Sequence, residues 1–386
     1  MLSLGTFAAL QSEADLLQSL AANDLSAANT LPLLTRLRKT YPPDVAGAAL
    51  ETARLREKAA PKFSRASQMF FTADALEQAT SEIVAEHHAR ILAPYHQIAD
   101  LGCGIGGDAI LLGQRAWVLG VDLDLLRLRM ARHNAAVYQA GVQFLQADLT
   151  APLPLVDQGA AFFDPVRRTA DKRIFSVRAY TPPLELIQTW NFQAVLVKIS
   201  PGVQLEELTH LDAGIEFVSL GGELKEALLH IGELAFRGFR ATRLPENITL
   251  VSLGLEPPPV IDAPLRYLYE PDPAVIRSGL FGEMLQQTGI TAYRLDETIA
   301  YLTGDEPTNS PWLRSWRIDA WMPFNLKKLR RELVEQGVGK ITVKKRGSPI
   351  TPEALQAKLS LKDGIHHAVV ILTRLQGQPI VLISYP

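Results

Sequence analysis

The sequence predicts an α/β protein: a doubly wound sheet preceded by a helical segment and followed by a small α+β domain. Three observations lead there. Apolar strand-like runs alternate with helical runs between about residues 96 and 200. A glycine turn, Gly102-Cys-Gly-Ile-Gly-Gly107, separates the first of these strands from the helix that follows, and glycines there let a backbone turn sharply and approach a ligand. Aspartates at 100, 122, 148 and 164 stand at four successive strand ends, which in such a sheet converge on one crevice.

Taken in order, residues 1–61 read as helices. Leu10, Leu16, Leu17, Leu20 and Leu25 recur at roughly helical spacing, and Ala46–Ala60 is Ala-rich with alternating charge. Their expected role is a bundle that packs on the next domain. Residues 62–255 form the predicted sheet domain. Thr72 caps a helix expected over about 73–91. Strands are expected at 96–101, 117–121, 142–145, 159–163 and 194–199, with helices from Gly107, over about 125–140 and over about 183–189. Further strands follow at 216–220, 223–231 and 240–250. Pro257-Pro-Pro259 marks a boundary, because consecutive prolines continue neither sheet nor helix. Residues 256–313 read as a connector or small ferredoxin-like segment. Residues 314–386 alternate strand and helix, with strands near 314–321, 340–345, 368–373 and 380–384 and helices near 326–336 and 352–359.

Composition narrows the class. A 47% hydrophobic content and 21% charge suit a globular protein. No run of about 18 apolar residues predicts a membrane span. The N-terminus carries no basic region ahead of an apolar one, so no signal peptide is expected. The one cysteine, Cys103, excludes an intramolecular disulfide and fits a reducing, cytoplasmic setting. Set in a glycine turn with no base beside it, it reads as a small packing residue. The eight histidines make no recognisable ligand set, so no metal is expected. The net charge of −2 hides an asymmetry: from Arg314 onward 13 Lys/Arg face 5 Asp/Glu, a net of +8. A tail of that sign suits a polyanion.

The acids at the strand ends carry the chemistry. Asp100, just ahead of Gly102, Gly104 and Gly106, would repel a pyrophosphate, so it disfavours a dinucleotide and favours a cationic or zwitterionic ligand. Asp122, followed by Leu123, can accept from both hydroxyls of a ribose. Asp148 suits an exocyclic adenine amine, with Leu149 beside the ring. Phe70 and Phe71 read first as a hydrophobic staple for the helix that Thr72 caps; the alternative is that Met69, Phe70 and Thr72 help close such a pocket. Asp164-Pro165 is followed by Arg167, Arg168, Lys172, Arg173 and Arg178, an arginine-rich loop with bidentate donors for phosphate. Lys198-Ile-Ser-Pro-Gly202 and Gly221–Glu226 are weaker signals, as compatible with structural pairing as with chemistry.

Asp100-Leu-Gly-Cys-Gly-Ile-Gly106 resembles motif I of the class I S-adenosylmethionine (SAM)-dependent methyltransferases, (D/E)-x-G-x-G-x-G. Asp164-Pro165 occupies the place of their motif IV, (D/N)-P-P-(Y/F), but the second proline and the aromatic are replaced by Val166 and Arg167. With Phe70–Thr80, Val197–Gly202, Tyr269–Arg277, Tyr301–Gly304 and Val343–Gly347, these stretches make the chain similar to a bacterial group of such enzymes carrying a C-terminal THUMP-like domain. The resemblance implies a Rossmann-like methyltransferase sheet and SAM as cofactor. It implies cofactor contacts from Thr72, Asp100, Gly102, Gly104, Gly106, Asp122, Leu123, Asp148 and Leu149. Catalytic positions would be Asp164, Pro165, Arg167 and Arg168, and RNA, tRNA or rRNA, would be the partner. Because the motif's aromatic is missing, Tyr180 is a candidate for that wall. The alternatives are methyl transfer to a protein or small molecule, and a non-catalytic RNA-binding protein that keeps the fold.

Overall fold

We describe a computed structural model of the 386-residue chain. It describes residues 2–152, 159–165, 168, 169, 172, 173, 176–361 and 364–385, with only the backbone at 168, 169, 172 and 173. The chain divides into two compact units, one of residues 1–215 with 226–236, the other of residues 216–225 with 237–386.

The first unit opens with four helices, α1 (Leu4–Gln11), α2 (Ala14–Ala21), α3 (Thr30–Leu37) and α4 (Pro43–Ala59). Ser3 and Thr6 form a reciprocal capping box at α1, and proline starts α4, where a missing N–H costs nothing. Ala46, Ala49, Leu50 and Ala53 make the buried stripe of α4. These helices have no core of their own. Their leucines close over Met69, Phe70, Phe71, Ile105, Ile110 and Met130 in one apolar cluster. Phe7 meets Phe70 edge to face at 4.9 Å. Met69 and Phe70 are thus core residues, at 0% and 1% exposed, and not walls of an open pocket.

The helix expected over 73–91 is two helices, α5 (Ala73–Gln78) and α6 (Glu82–Ile91). Thr72 does cap the first, accepting from the Ala75 amide. The break has a cause that local sequence does not carry: Thr80 is drawn into the interior, where its hydroxyl accepts from Lys198 Nζ at 2.8 Å. Then follow β1 (Gln97–Leu101), α7 (Gly107–Leu112), β2 (Trp117–Asp122), α8 (Leu125–Val137), β3 (Val142–Gln146), β4 (Ala160–Phe163), the short pair β5 (Arg168–Thr169) and β6 (Lys172–Arg173), β7 (Ala194–Ile199), β8 (Ala213–Leu220) and β9 (Glu223–Gly232). The segment 183–189 is a 3-10 turn over Leu184–Thr189 rather than an α-helix. Within the first unit the sheet runs β9-β7-β4-β1-β2-β3. Its strands are parallel except β9, which runs antiparallel to β7. The arginine-rich loop holds a two-stranded ribbon, Arg168 opposite Arg173.

The second unit takes most of β8 and adds β10 (Phe239–Leu244) and β11 (Ile248–Val251), a hairpin where one strand was expected. Next come β12 (Tyr267–Pro271), α9 (Pro273–Ser278), α10 (Phe281–Thr288), β13 (Tyr293–Arg294), β14 (Leu302–Gly304) and β15 (Leu313–Arg317). Strands β13-β14-β12-β15 form one sheet. The rest is β16 (Ala320–Pro323), α11 (Leu326–Glu335), β17 (Val338–Lys345), α12 (Pro352–Leu359), β18 (His366–Leu375) and β19 (Gln378–Ser384). Its sheet order is β16-β19-β18-β17. The strand expected over 314–321 is therefore split between two sheets. Leu329, Leu333, Leu355 and Leu359 bury the helices against β17–β19.

Because Phe70 joins the N-terminal helices to the sheet unit, Phe70→Ala is expected to cost about 3–5 kcal/mol. Urea denaturation should show the helices and the sheet losing structure in one transition shifted to lower urea, not in two.

Candidate active site

Strand register assembles the cleft. Leu101 on β1 stands opposite Val121 on β2 and Phe163 on β4, and Phe163 stands opposite Val197 on β7. The next residues along each strand, Gly102, Asp122, Asp164 and Lys198, therefore come together at the carboxyl edge. Backbone geometry explains the glycines. A Cβ at Gly102 (φ +87°) would lie 2.9 Å from the Asp164 carbonyl oxygen. At Gly104 (φ +54°) a Cβ would meet nothing within 4 Å, so this turn faces open space. Gly106 (φ +85°) precedes α7 in the left-handed conformation and lies against Ala131. Gly102, Gly104 and Gly107 also satisfy the dinucleotide spacing, so the discrimination against a pyrophosphate rests on Asp100.

The acids are not equivalent. Asp100 is 1% exposed and its Oδ2 has no hydrogen-bond partner among the described residues. Burial, then the charges of Asp108, Asp164 and Asp122, push its carboxyl well above the usual range. Asp122 is half-buried; its Oδ2 accepts from the Gly104 amide and its Oδ1 from the Asp124 amide, both at 2.9 Å. A carboxylate has about four lone-pair sites, so acceptor capacity remains. Asp148 is exposed, and hydrogen bonds from the Thr150 hydroxyl and amide hold its carboxyl below the usual range. Leu149 is buried and Leu123 is 66% exposed. Thr72 is half-buried and donates to Asp74 Oδ1 at 2.6 Å. Cys103 is buried. Burial, then Asp100 and Asp122, push its thiol well above the usual range, which makes it a packing residue and not a nucleophile.

Asp164 is half-buried, and its Oδ2 accepts from Lys198 Nζ at 2.8 Å. Pro165 beside it is buried. Arg167 lies outside the described residues, and for Arg168 only the ribbon backbone is described. Arg178 is exposed. Tyr180 is 3% exposed, with its hydroxyl accepting from the Ser200 amide at 2.9 Å. It therefore braces the loop after β7.

Behind Asp164 runs a buried polar chain that the sequence analysis did not assemble. Lys198 also donates to Thr80, and Thr80 hydrogen-bonds Asp108. Asp108 Oδ1 lies 2.7 Å from His88 Nδ1, while His88 Nε2 hydrogen-bonds Glu226 Oε1. His88 is fully buried and stacks on Phe162 at 4.8 Å. His88 and Glu226 are 138 residues apart, so no local pattern announces the contact. The available signals were a histidine inside the apolar face of a helix and an acid directly after the glycine turn.

An orphaned carboxyl oxygen, three further carboxylates around it and a turn open at Gly104 fit a ligand with a cationic centre and a ribose. The comparisons agree. The methyltransferase domain family matches residues 98–166, and the THUMP domain-like family matches residues 313–386. A domain family of unknown function matches residues 3–59. The chain is 33% identical over 342 residues to an uncharacterized S-adenosylmethionine-dependent methyltransferase of Mycobacterium tuberculosis strain H37Rv, covering 84% of this chain and 92% of that protein. Its counterpart in strain CDC 1551 matches to the same extent. The chain belongs to the SAM-dependent methyltransferases. The fold is shared with the crystal structure of a methyltransferase candidate from Porphyromonas gingivalis W83, at 19% identity with a TM-score of 0.78, over 97% of this chain and 98% of that one. The methyltransferase thus uses SAM and ends in a THUMP-like domain. No helix of its described residues is long and apolar enough to cross a membrane. Among them no group of three or more His, Cys, Asp or Glu is arranged to hold a metal ion.

In this methyltransferase His88 carries the charge that makes its buried acids tolerable. Burial alone would lower the imidazole, but Glu226 and Asp108 outweigh it and push it up to about 10. Burial alone would raise the two carboxyls, and the His88 cation reverses that and holds both below the usual range. The native imidazole thus holds its proton above its unfolded value of about 6.5. Its stabilisation is fully present below that pH and is lost as pH rises toward about 10. His88→Gln leaves two buried carboxylates without their hydrogen-bonded cation, with only Lys198 acting on them from farther off, and is expected to cost about 3–5 kcal/mol at neutral pH. Thermal melts from pH 6 to 10 should show the wild type losing its advantage over the variant as pH rises; a constant gap would contradict a charged His88.

Proposed function

We propose that this protein methylates RNA in the cytoplasm. The observation that carries the substrate class is the basic helix of the second unit. Lys327, Lys328, Arg330 and Arg331 of α11 are exposed, and so are Lys340 and Lys345 of the adjoining strand. Leu329 and Leu333 turn the other side of the helix into the core, so the charged face is held outward by packing. The net of +8 beyond residue 313 stands on a chain of overall charge −2. Like-charge crowding of that kind is costly unless an anion relieves it.

Bound SAM supplies a methyl group already made electrophilic by its sulfonium. The chain's task is to hold and orient. In our reading, Asp100 faces the cationic end of the cofactor, and its orphaned Oδ2 gains the partner it lacks. Asp122 takes the ribose hydroxyls with its remaining acceptor sites. Asp148 and Leu149, with Leu123 beside Asp122, hold the adenine, and Thr72 fixes the segment that borders the pocket. Asp164 accepts a hydrogen bond from the substrate's nucleophilic group and aims it in line, with Pro165 keeping the backbone stiff. Lys198 clamps the Asp164 carboxylate, so the aim is set before substrate arrives. Arg167 and Arg168 guide a phosphate toward that point.

The test is transfer of labelled methyl from SAM to total RNA, read by nucleoside mass spectrometry. One methylated nucleoside should appear and should vanish on ribonuclease treatment before the reaction. Label retained on protein or on a small molecule instead would refute the RNA reading. Asp164→Asn is expected to slow turnover by about 100-fold, the scale of losing one orienting group in a preorganised site. SAM affinity measured by calorimetry should change little in that variant. Asp122→Ala should weaken SAM binding itself.

A further inference from the structure

Two stretches of the second unit carry charges that the methyl-transfer reading does not use: those around Glu270 and Lys344-Lys-Arg346. They meet at a cavity of about 190 Å³. We propose that this cavity is a binding site for a phosphate monoester, separate from the methyl-transfer site.

Four cations line it, Arg243, Arg314, Lys344 and Arg346. Arg243 is neutralised: its Nη1 lies 2.6 Å from Asp272 Oδ2, and its Nε lies 3.3 Å from Glu246. Lys344 and Arg346 share one carboxylate, Glu270, at 3.0 and 3.4 Å. Arg314 forms no ion pair with any described residue. Over the lining, four cations stand against Glu270 and Asp272, an excess of two positive charges in one concavity; Glu246 is not among the lining residues. Two of these cations are also held in place. Lys344 Nζ sits 4.4 Å from the centre of the Trp316 ring, and the Arg346 guanidinium 5.4 Å from that of Tyr301. Arg314 lies where a Cβ at Gly222 (φ +83°) would come within 2.6 Å of its Nη2. The guanidinium thus lies over the Gly222 turn.

Such an arrangement costs free energy in the empty protein, because braced like charges repel. A guest with matching charge returns it. A phosphate monoester carries close to two negative charges at neutral pH, whereas a diester carries one. Two guanidiniums offer paired donors to its oxygens and the lysine a point charge. The volume equals that of about six water molecules, enough for a phosphoryl group and part of a sugar. The monoester can be the 5′ end of a polynucleotide or a free nucleotide, and both present the same group.

The intact protein, with S-adenosylhomocysteine saturating the cofactor cleft, would be titrated with uridine 5′-monophosphate and with uridine, followed by tryptophan fluorescence and calorimetry. The monophosphate should bind at least tenfold more tightly than uridine, and Arg314→Ala should remove that difference. Arg314 is exposed, so this variant should keep the wild-type melting temperature. Arg346→Gln should act in the same direction. Equal binding of the two ligands, or a monophosphate preference that survives Arg314→Ala, would overturn the proposal. In a second arm, a ten-nucleotide RNA is compared with a 5′-phosphate and with a 5′-hydroxyl. A tenfold preference for the phosphorylated end names the polynucleotide as the source. A preference seen only with the mononucleotide names the free nucleotide. Failure of RNA methylation alongside Arg314-dependent phosphate binding would remove the RNA reading and leave this site standing.

Discussion

The first unit depends on the buried cation of His88. His88 joins α6, α7 and β9 by standing between Asp108 and Glu226 with no access to solvent. Two carboxylates in an apolar interior would each be costly alone. A doubly hydrogen-bonded imidazolium offsets that cost and sets the geometry of everything attached to it. From Asp108 the chain of contacts passes through Thr80 and Lys198 to Asp164. The residue nearest the proposed chemistry is thereby tied to the middle of the fold, and its orientation is prepaid in folding. Replacing the network by apolar residues could equal its stability, but such residues offer no way to hold a carboxylate at the cleft.

Against that firm support stands one deliberate incompleteness. Asp100 is buried beside three other carboxylates with an oxygen left unpartnered among the described residues. Buried polar groups are almost always satisfied, so this one is informative. A cationic ligand relieves both the missing contact and the repulsion, which is why an acid ahead of the glycine turn discriminates where glycine spacing does not. The second unit shows a similar imbalance of opposite sign. Its excess of arginine and lysine is organised by a few carboxylates and aromatic rings instead of being neutralised. The protein thus keeps an acidic interior cleft in one unit and a basic surface and cavity in the other.

The sequence by itself determined much of this. Alternating strands and helices, the glycine turn, and acids at strand ends specify a doubly wound sheet and its ligand edge, because strand direction and the right-handed crossover leave few other arrangements. The positions of Asp122 and Asp164 at that edge, and of Asp100 just inside it, followed from the strands alone. So did the charge of the tail, since composition does not depend on folding. Tertiary structure decided what local pattern could not. It broke the helix expected over 73–91, because Thr80 bonds a lysine 118 residues away. It turned Met69 and Phe70 inward, because the N-terminal helices needed a surface on which to bury their leucines. It split the strand expected over 314–321 between two sheets and brought Glu270, Arg314, Lys344 and Arg346 around one cavity. Each of these depends on pairs distant in the chain. Periodicity and propensity report a residue's neighbours along the backbone, while the partner that satisfies a buried charge is chosen only when the core closes.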